Sequence, residues 1–132
     1  MPKINIDDLQ IYYQQEGEGE DIVLISGLSA DHLAWEPIYA ALTQRYRVLR
    51  FGNRGVGQTT TPSGPYSINR MADDVTVLLD ALQIDAAHIV GHSMGGYIAQ
   101  QFAVAHAAKL KKLILMTSGA RPTINIQMLC QT

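Results

Sequence analysis

The sequence predicts an α/β protein of three layers, α/β/α, in which a mostly parallel sheet is preceded by an antiparallel hairpin. Three observations predict this fold. Apolar runs without alternation, such as Ile22–Ile25, are typical of strands that are covered on both faces. Segments with helical spacing alternate with these runs over short loops, which is the pattern of parallel β-α-β units. Two short segments separated by Asp7-Asp8 indicate the hairpin.

The predicted elements follow one another in a regular order, with strands and helices alternating after the hairpin. The long stretch Gly52–Tyr66 has no hydrophobic period and is predicted to be a loop. In chain order the elements are the hairpin at Lys3–Ile6 and Gln10–Gln15, a strand at Ile22–Ile25, a helix from near Trp35, a strand at Arg47–Phe51, a helix from Ile68 to Leu82, a strand at His88–Gly91, a helix at Ser93–His106 and a buried strand at Lys112–Met116.

The helix after the long loop has the clearest amphipathic pattern in the chain. Ser67 precedes it as a predicted N-cap, and apolar side chains recur at steps of three and four residues. The acidic residues that fall off this stripe are expected in solvent; they are Asp73, Asp74 and Asp80. In the helix near Trp35, the residues expected to face inward are Ile38, Ala41 and Leu42.

Composition excludes several classes of protein. The chain has 132 residues, of which 47% are hydrophobic and 17% charged, as expected for one globular domain. A formal net charge of −2 argues against a nucleic-acid partner. No apolar run approaches the roughly 20 residues that cross a membrane. The single cysteine, Cys130, forms no internal disulfide, and the sequence predicts no metal or other cofactor and a cytoplasmic location.

The run Gly91-His92-Ser93-Met94-Gly95 is the main candidate for chemistry. It follows an apolar strand and opens an alanine-rich helix, as the nucleophile elbow of a serine hydrolase does. A serine on so sharp a turn leaves no room for side chains at Gly91 and Gly95. The helix N-terminus favours negative charge beside Ser93, and the Met94 N–H is predicted to be an oxyanion donor.

Other interpretations of these glycines are open. The turn around Ser93 is also compatible with a glycine-rich turn that only allows tight packing. A phosphate-binding turn is disfavoured. Neither Gly52–Gly57 nor Gly91–Gly96 has the lysine of a P-loop or the spacing of a dinucleotide fingerprint. A second oxyanion donor is predicted at the Leu28 N–H, since Gly27 lets the chain pass close to the nucleophile. The alternative is that Gly27 is an ordinary turn residue.

Five stretches of the sequence match the motifs of one known family, in the family's order and spacing. They are Leu24–Leu28, Arg50–Gly57, Gly64–Ser67, Met71–Val75 and Gly91–Gly96. The sequence resembles the α/β-hydrolase superfamily, especially the esterase and lactonase branch that includes 3-oxoadipate enol-lactonases and the carboxylesterases of biotin synthesis. The resemblance implies a serine hydrolase of small carboxylic esters or lactones. In such an enzyme Ser93 attacks the carbonyl carbon while the N–H groups of Leu28 and Met94 hold the oxyanion.

The sequence also departs from the family. In the family a triad acid and a histidine follow the nucleophile beyond further strands, and this sequence stops before them. We therefore predict that residues 1–122 are the N-terminal half of a truncated hydrolase core, and that residues 123–132 form a tail where a cap domain would begin. None of the four histidines fits the catalytic base, and each is predicted to be structural; they are His32, His88, His92 and His106.

Two smaller departures concern the loops around the predicted site. Gly52 stands where the family usually has an aspartate, so the loop that follows is expected to be looser. Ser26 occupies a position where histidine is frequent in the family.

Two hypotheses for function follow. In the first, the chain is a serine hydrolase that acts only when another segment or chain supplies the acid and the histidine. In the second, it is a catalytically inactive scaffold that self-associates. The strand Lys112–Met116 is expected to form an apolar sheet edge, which predicts a homodimer or oligomer through that edge.

Overall fold

The computed structural model describes residues 3–6, 9–27, 32–54, 59 and 67–116. Within these residues, six strands form one sheet with helices on both faces, which confirms the predicted fold class. In chain order the elements are β1 (Lys3–Ile6), β2 (Leu9–Glu16), β3 (Asp21–Ile25), a 3-10 turn (His32–Trp35), α1 (Glu36–Leu42), β4 (Arg47–Phe51), α2 (Ile68–Ala81), β5 (Ala87–His92), α3 (Met94–Ala105), a second 3-10 turn (Ala107–Lys109) and β6 (Leu110–Met116).

The strand order in the sheet is β1-β2-β4-β3-β5-β6. The hairpin β1–β2 is antiparallel and joins the sheet by antiparallel pairing of β2 with β4, whereas β4, β3, β5 and β6 are parallel. The chain runs from β3 to β4 on one side and then returns to β5 on the other side. The carboxyl ends of β3 and β5 are therefore neighbours at a point where the strand order reverses, and such points favour ligand sites.

The larger core lies between the sheet and the helices α2 and α3. The Ser67 side chain accepts a hydrogen bond from the Arg70 N–H at 3.0 Å, so the predicted N-cap of α2 is confirmed. The apolar stripe of α2 contributes Ile68, Met71, Val75, Leu78 and Leu79 to this core.

The expectation that Asp74 lies in solvent is wrong. Asp74 is buried, and its carboxylate accepts hydrogen bonds from the Arg54 guanidinium at 2.8 and 2.9 Å. The loop after β4 brings Arg54 against α2, a long-range contact that helical spacing does not reveal. Asp73 and Asp80 are exposed, as predicted, and contact His106 and Lys109.

The opposite face of the sheet is only partly covered. The helix α1 has seven residues, and Tyr39 is the residue that it buries. The prediction for Ile38 and Ala41 is wrong, because both are exposed, while Leu42 is half-buried. Among the described residues nothing covers the sheet face beyond α1, where a groove of about 430 Å³ lies. Its lining includes Ile22, Leu24, Ile38, Val90, Ile114 and Met116.

The strand β6 lies at one edge of the sheet, as predicted, but its apolar side chains are exposed rather than buried. Ile114, Leu115 and Met116 are 49%, 39% and 40% exposed. Residues 117–132 lie outside the described residues, so the predicted division at residue 122 stays a prediction. Among the described residues, no helix is long and apolar enough to span a membrane.

Candidate functional site

Ser93 lies between the end of β5 and the first residue of α3. Its backbone has φ 56° and ψ −120°, and only one other non-glycine residue among those described, Gln83, has a positive φ. A residue with a side chain in this conformation costs about 1–3 kcal/mol, and such strain is concentrated at functional sites. The sequence therefore folds here into a sharp strand-to-helix turn that presents the Ser93 side chain at the carboxyl edge of the sheet.

The glycines on either side of Ser93 allow this turn to be so tight. A Cβ on Gly91 would collide with the Gly95 carbonyl and lie 2.7 Å from the Gly96 Cα. A Cβ on Gly95 would collide with the Ile25 carbonyl and lie 2.8 Å from the Ser26 carbonyl oxygen. The first turn of α3 therefore packs directly on the backbone of both neighbouring strands.

Hydrogen bonds fix the backbone of the turn. The Ser93 N–H donates to the Met116 carbonyl at the end of β6 at 3.0 Å, and the Ser93 carbonyl accepts from the Gly96 N–H at 2.9 Å. The Met94 N–H belongs to the first turn of α3, where the helix dipole favours negative charge.

The end of β3 lies opposite Ser93. A Cβ on Gly27 would lie 3.2 Å from the Ser93 Cβ and 3.7 Å from the Met94 backbone nitrogen. Gly27 is therefore close to both the predicted nucleophile and one predicted donor. Leu28, the other predicted donor, lies outside the described residues.

A cavity of about 250 Å³ adjoins the turn on the side of α1. The Trp35 ring meets the His92 ring edge-on, with centroids 6.3 Å apart. Ile38 and Met116 line both this cavity and the larger groove, so the two are neighbours on the open sheet face. The other lining residues are Ser26, Ala34 and Pro37.

Each histidine packs against another part of the fold. His32 is buried against the Tyr12 ring, with centroids 4.7 Å apart. The His106 Nε2 lies 3.2 Å from the Asp73 carboxylate, near the end of α3. The His88 Nε2 lies 3.4 Å from Glu20.

The Glu20 carboxylate lies just before β3, at the end of that strand away from Ser93. Hydrogen bonding by His88, and secondly by Lys111, lowers the pKa of Glu20 below its ordinary value.

The sequence offers no triad partners after the nucleophile. It contains no aspartate or glutamate after Asp85, and His106 is its only histidine after Ser93. The family order of serine, then acid, then histidine cannot be met within these 132 residues. Among the described residues, no group of three or more His, Cys, Asp or Glu side chains could hold a metal ion.

Thr59 ties the loop after β4 to the hairpin, a contact that no sequence pattern singles out. Its hydroxyl donates to the Gly52 carbonyl at 2.8 Å and accepts from the Tyr12 N–H at 3.0 Å. The Gly52 N–H also donates to the Tyr12 carbonyl at 3.1 Å. Of the loop Gly52–Tyr66, only residues 52–54 and 59 are described, so its predicted looseness stays a prediction.

Comparison with known proteins agrees with this architecture. The sequence model of the family described as "alpha/beta hydrolase fold" matches residues 22–128. A relative in Caulobacter segnis named RutD, whose name refers to carbamate hydrolysis, is 38% identical over 112 residues, which are 83% of this chain and 42% of the relative.

Two solved structures share the fold. The enol-lactonase of Burkholderia xenovorans LB400 superposes with a TM-score of 0.88 at 35% identity, over 91% of this chain and 48% of the other. Est816, described as an N-acyl homoserine lactone degrading enzyme, superposes with a TM-score of 0.86 at 34% identity, over 92% and 49%.

The chain spans somewhat less than half the length of these relatives. The family match covers most of the chain, and the six-stranded sheet has the same architecture as the solved relatives. The chain therefore belongs to the α/β-hydrolase fold family.

Proposed function

We propose that this chain is the nucleophile-bearing part of a serine hydrolase that acts on small carboxylic esters or lactones. In this proposal Ser93 attacks the carbonyl carbon, and the backbone N–H groups of Leu28 and Met94 stabilise the oxyanion. The proposal places the protein in the cytoplasm, in keeping with its single cysteine, Cys130.

The backbone conformation of Ser93 carries the proposal. Ser93 has φ 56° and ψ −120°, a strained conformation, and lies between two glycines where any Cβ would collide with backbone. A turn that served packing alone would be more stable with glycine at this position, because glycine adopts positive φ without steric cost. The strain is accounted for if the Ser93 hydroxyl is needed where the turn places it.

Relatives support the substrate class. One structural relative is an enol-lactonase and another degrades N-acyl homoserine lactones, so both act on lactones. The relative RutD is named after carbamate hydrolysis. The carbonyl carbon of a carbamate is bonded to an oxygen, as in an ester or lactone, and to a nitrogen. Hydrolysis of a lactone and hydrolysis of a carbamate can both begin with attack on a carbonyl carbon, and the oxyanion that forms there is what the proposed donors would stabilise.

Turnover requires two groups that this sequence does not contain. A serine hydroxyl is a weak nucleophile unless an adjacent base accepts its proton, and the histidine base is in turn oriented by an acid. We propose that both come from protein outside these 132 residues, either further chain or a second molecule. Without them, the oxyanion donors leave only residual acceleration.

A fluorophosphonate probe tests the proposed nucleophile. Because the chain alone lacks the base, we expect labelling of Ser93 that is slow but reaches one probe per chain, and Ser93→Ala should abolish it. Ser67→Ala is the matched control, since Ser67 caps α2 away from the turn, and it should label like the parent. An absence of labelling in the folded parent chain at neutral pH, even after prolonged incubation, would refute the proposal that Ser93 is the nucleophile.

A second candidate is a non-catalytic scaffold that self-associates through β6. The specific observation is the exposed apolar surface of this edge strand, where Ile114 is 49% and Met116 40% exposed beside the open groove. Unpaired strand edges are templates for pairing with another chain, and a two-fold dimer is the simplest closed assembly.

Sedimentation of the parent chain and of Ile114→Lys tests this second candidate. We expect a dimer or larger oligomer at tens of micromolar for the parent, and a monomer for the variant, because a charge on the apolar face opposes association. Val104→Lys on α3 is the control, since Val104 is 81% exposed and belongs to a helix rather than to the edge strand. A parent chain that sediments as a stable monomer would contradict the scaffold hypothesis.

A further inference from the structure

Ser26 is held by two side chains that come from different parts of the fold. It follows β3 directly and is buried. Its hydroxyl accepts a hydrogen bond from the Trp35 indole N–H at 3.0 Å, and its carbonyl accepts one from the Asn53 side-chain amide at 3.1 Å. Trp35 and Asn53 are buried as well. We call these three residues the Ser26 clamp.

The two donors of the clamp are themselves anchored. Asn53 is followed by Arg54, whose buried, bidentate pair with Asp74 fixes the loop to α2. Trp35 packs edge-on against His92, the residue before Ser93. The clamp therefore connects the end of β3 with α2 on one side and with the end of β5 on the other.

The opposite side of Ser26 faces the turn around Ser93. The Ser26 carbonyl oxygen packs against Gly95: a Cβ added to Gly95 would lie only 2.8 Å from this oxygen. Gly27, the next residue, packs against Ser93: a Cβ added to Gly27 would lie 3.2 Å from the Ser93 Cβ. A close-packed interior transmits small displacements, so a shift of Ser26 changes the approach of Gly27 to Ser93.

We infer that Trp35 and Asn53 are positioning residues of the proposed active site. They hold Ser26 and Gly27 at a fixed distance from Ser93, at the point where the segment with the proposed oxyanion donor begins. This inference rests on the proposed function, because it assigns a catalytic consequence to the clamp. Oxyanion donors act over 2.7–3.1 Å, and a displacement of about 1 Å costs roughly a hundredfold in rate.

The clamp is tested by single substitutions, each of which removes one hydrogen-bond donor. Trp35→Phe keeps an aromatic ring and removes the indole N–H, and Asn53→Leu keeps a similar shape and removes the amide. Arg47→Gln is the matched control, since it breaks the Arg47–Asp21 pair at the other end of the same strands. Ser26→Ala deletes the hydroxyl alone and replaces Trp35→Phe if that variant does not fold.

Two measurements distinguish a failure of the positioning role from a failure of the proposed function. The first is the backbone amide chemical shift of Gly27 and Ser93 in the ¹⁵N-labelled chain, which requires no activity. The second is phosphonylation of Ser93 by the fluorophosphonate probe, with the maximal rate and the half-saturating concentration determined separately.

We expect Trp35→Phe and Asn53→Leu to move both amide resonances and to lower the maximal labelling rate about tenfold, with little change in half-saturation. Arg47→Gln should do neither, and Trp35→Phe should add nothing in a Ser26→Ala background. Unmoved amides in both variants, or equal movement in Arg47→Gln, would overturn the inference. If the parent chain is not labelled, the proposed function fails while the amide shifts still decide the positioning.

Discussion

Arg54 and Asp74 form a buried, bidentate ion pair across 20 residues of sequence, with Nε and Nη2 at 2.8 and 2.9 Å from the carboxylate oxygens. The Arg54 and Asp74 side chains are only 4% and 10% exposed. Removing one partner deprives the other buried charge of its bidentate ion pair, which is far more costly than losing an exposed pair.

We therefore expect Arg54→Met to lower the free energy of unfolding by about 3 kcal/mol, as measured by urea denaturation. The half-exposed pair of Arg47 with Asp21 provides the comparison, and Arg47→Met should cost about 1 kcal/mol or less. The double variant Arg54→Met/Asp74→Leu should recover part of the loss. Equal costs for the two arginines would contradict this interpretation.

The strained backbone of Ser93 predicts an unusual response to glycine. Ser93→Gly should be more stable than Ser93→Ala by about 1 kcal/mol, because glycine accepts φ 56° without steric cost while alanine retains the strain. Thermal or urea unfolding of the two variants measures the difference. A glycine variant less stable than the alanine variant would show that the strain is negligible.

The close packing of Gly95 predicts that a single methyl group disrupts the turn. A Cβ there would collide with the Ile25 carbonyl, so Gly95→Ala should destabilise the chain by about 1–3 kcal/mol. The control is Val104→Ala on the same helix, where the side chain is 81% exposed and the change should be within about 0.5 kcal/mol. Urea midpoints of both variants provide the comparison.

The contacts of Glu20 with His88 and Lys111 predict a pH dependence. They lower the pKa of Glu20 from 4.5, so the folded state favours the carboxylate. The stabilisation is present above pH 4.5 and is lost as the pH falls through the lowered pKa. Glu20→Gln should therefore reduce the urea midpoint at pH 7, and its difference from the parent chain should shrink as the pH falls below 4.5.

The exposed residue Glu18 in the same turn provides the control for that experiment. Glu18→Gln should have a smaller effect at pH 7 than Glu20→Gln. A difference between Glu20→Gln and the parent chain that does not shrink as the pH falls below 4.5 would mean that the carboxylate charge is not responsible.

The sequence was sufficient for features that depend on local spacing. The stripe of α2 and its Ser67 cap were predictable, because a helix places residues three and four apart on one face. The parallel strands were predictable from apolar runs such as Ile22–Ile25. The glycine spacing around Ser93 indicated the turn between β5 and α3 for the same reason, since the steric demand is local.

Other features depend on which elements meet, and they could not be predicted. Asp74 lies off the apolar stripe of its helix, yet the loop with Arg54 buries it. Ile38 has the spacing of an inward residue, but it is exposed beside a sheet face that no described element beyond α1 covers. The Thr59 hydroxyl bridges Tyr12 and Gly52, a contact across 47 residues that no local pattern encodes.

The hydrogen bond from the Ser93 N–H to the Met116 carbonyl connects the strained turn with the edge strand β6. Edge strands open locally at lower free energy than central strands, and an amide exchanges with solvent when the element holding it opens. Ser93 should thus exchange its amide proton at the rate at which the end of β6 frays, far faster than Ile89 in the interior of β5. The amide of the residue at the centre of the proposed chemistry is then protected only as long as the end of β6 stays in place.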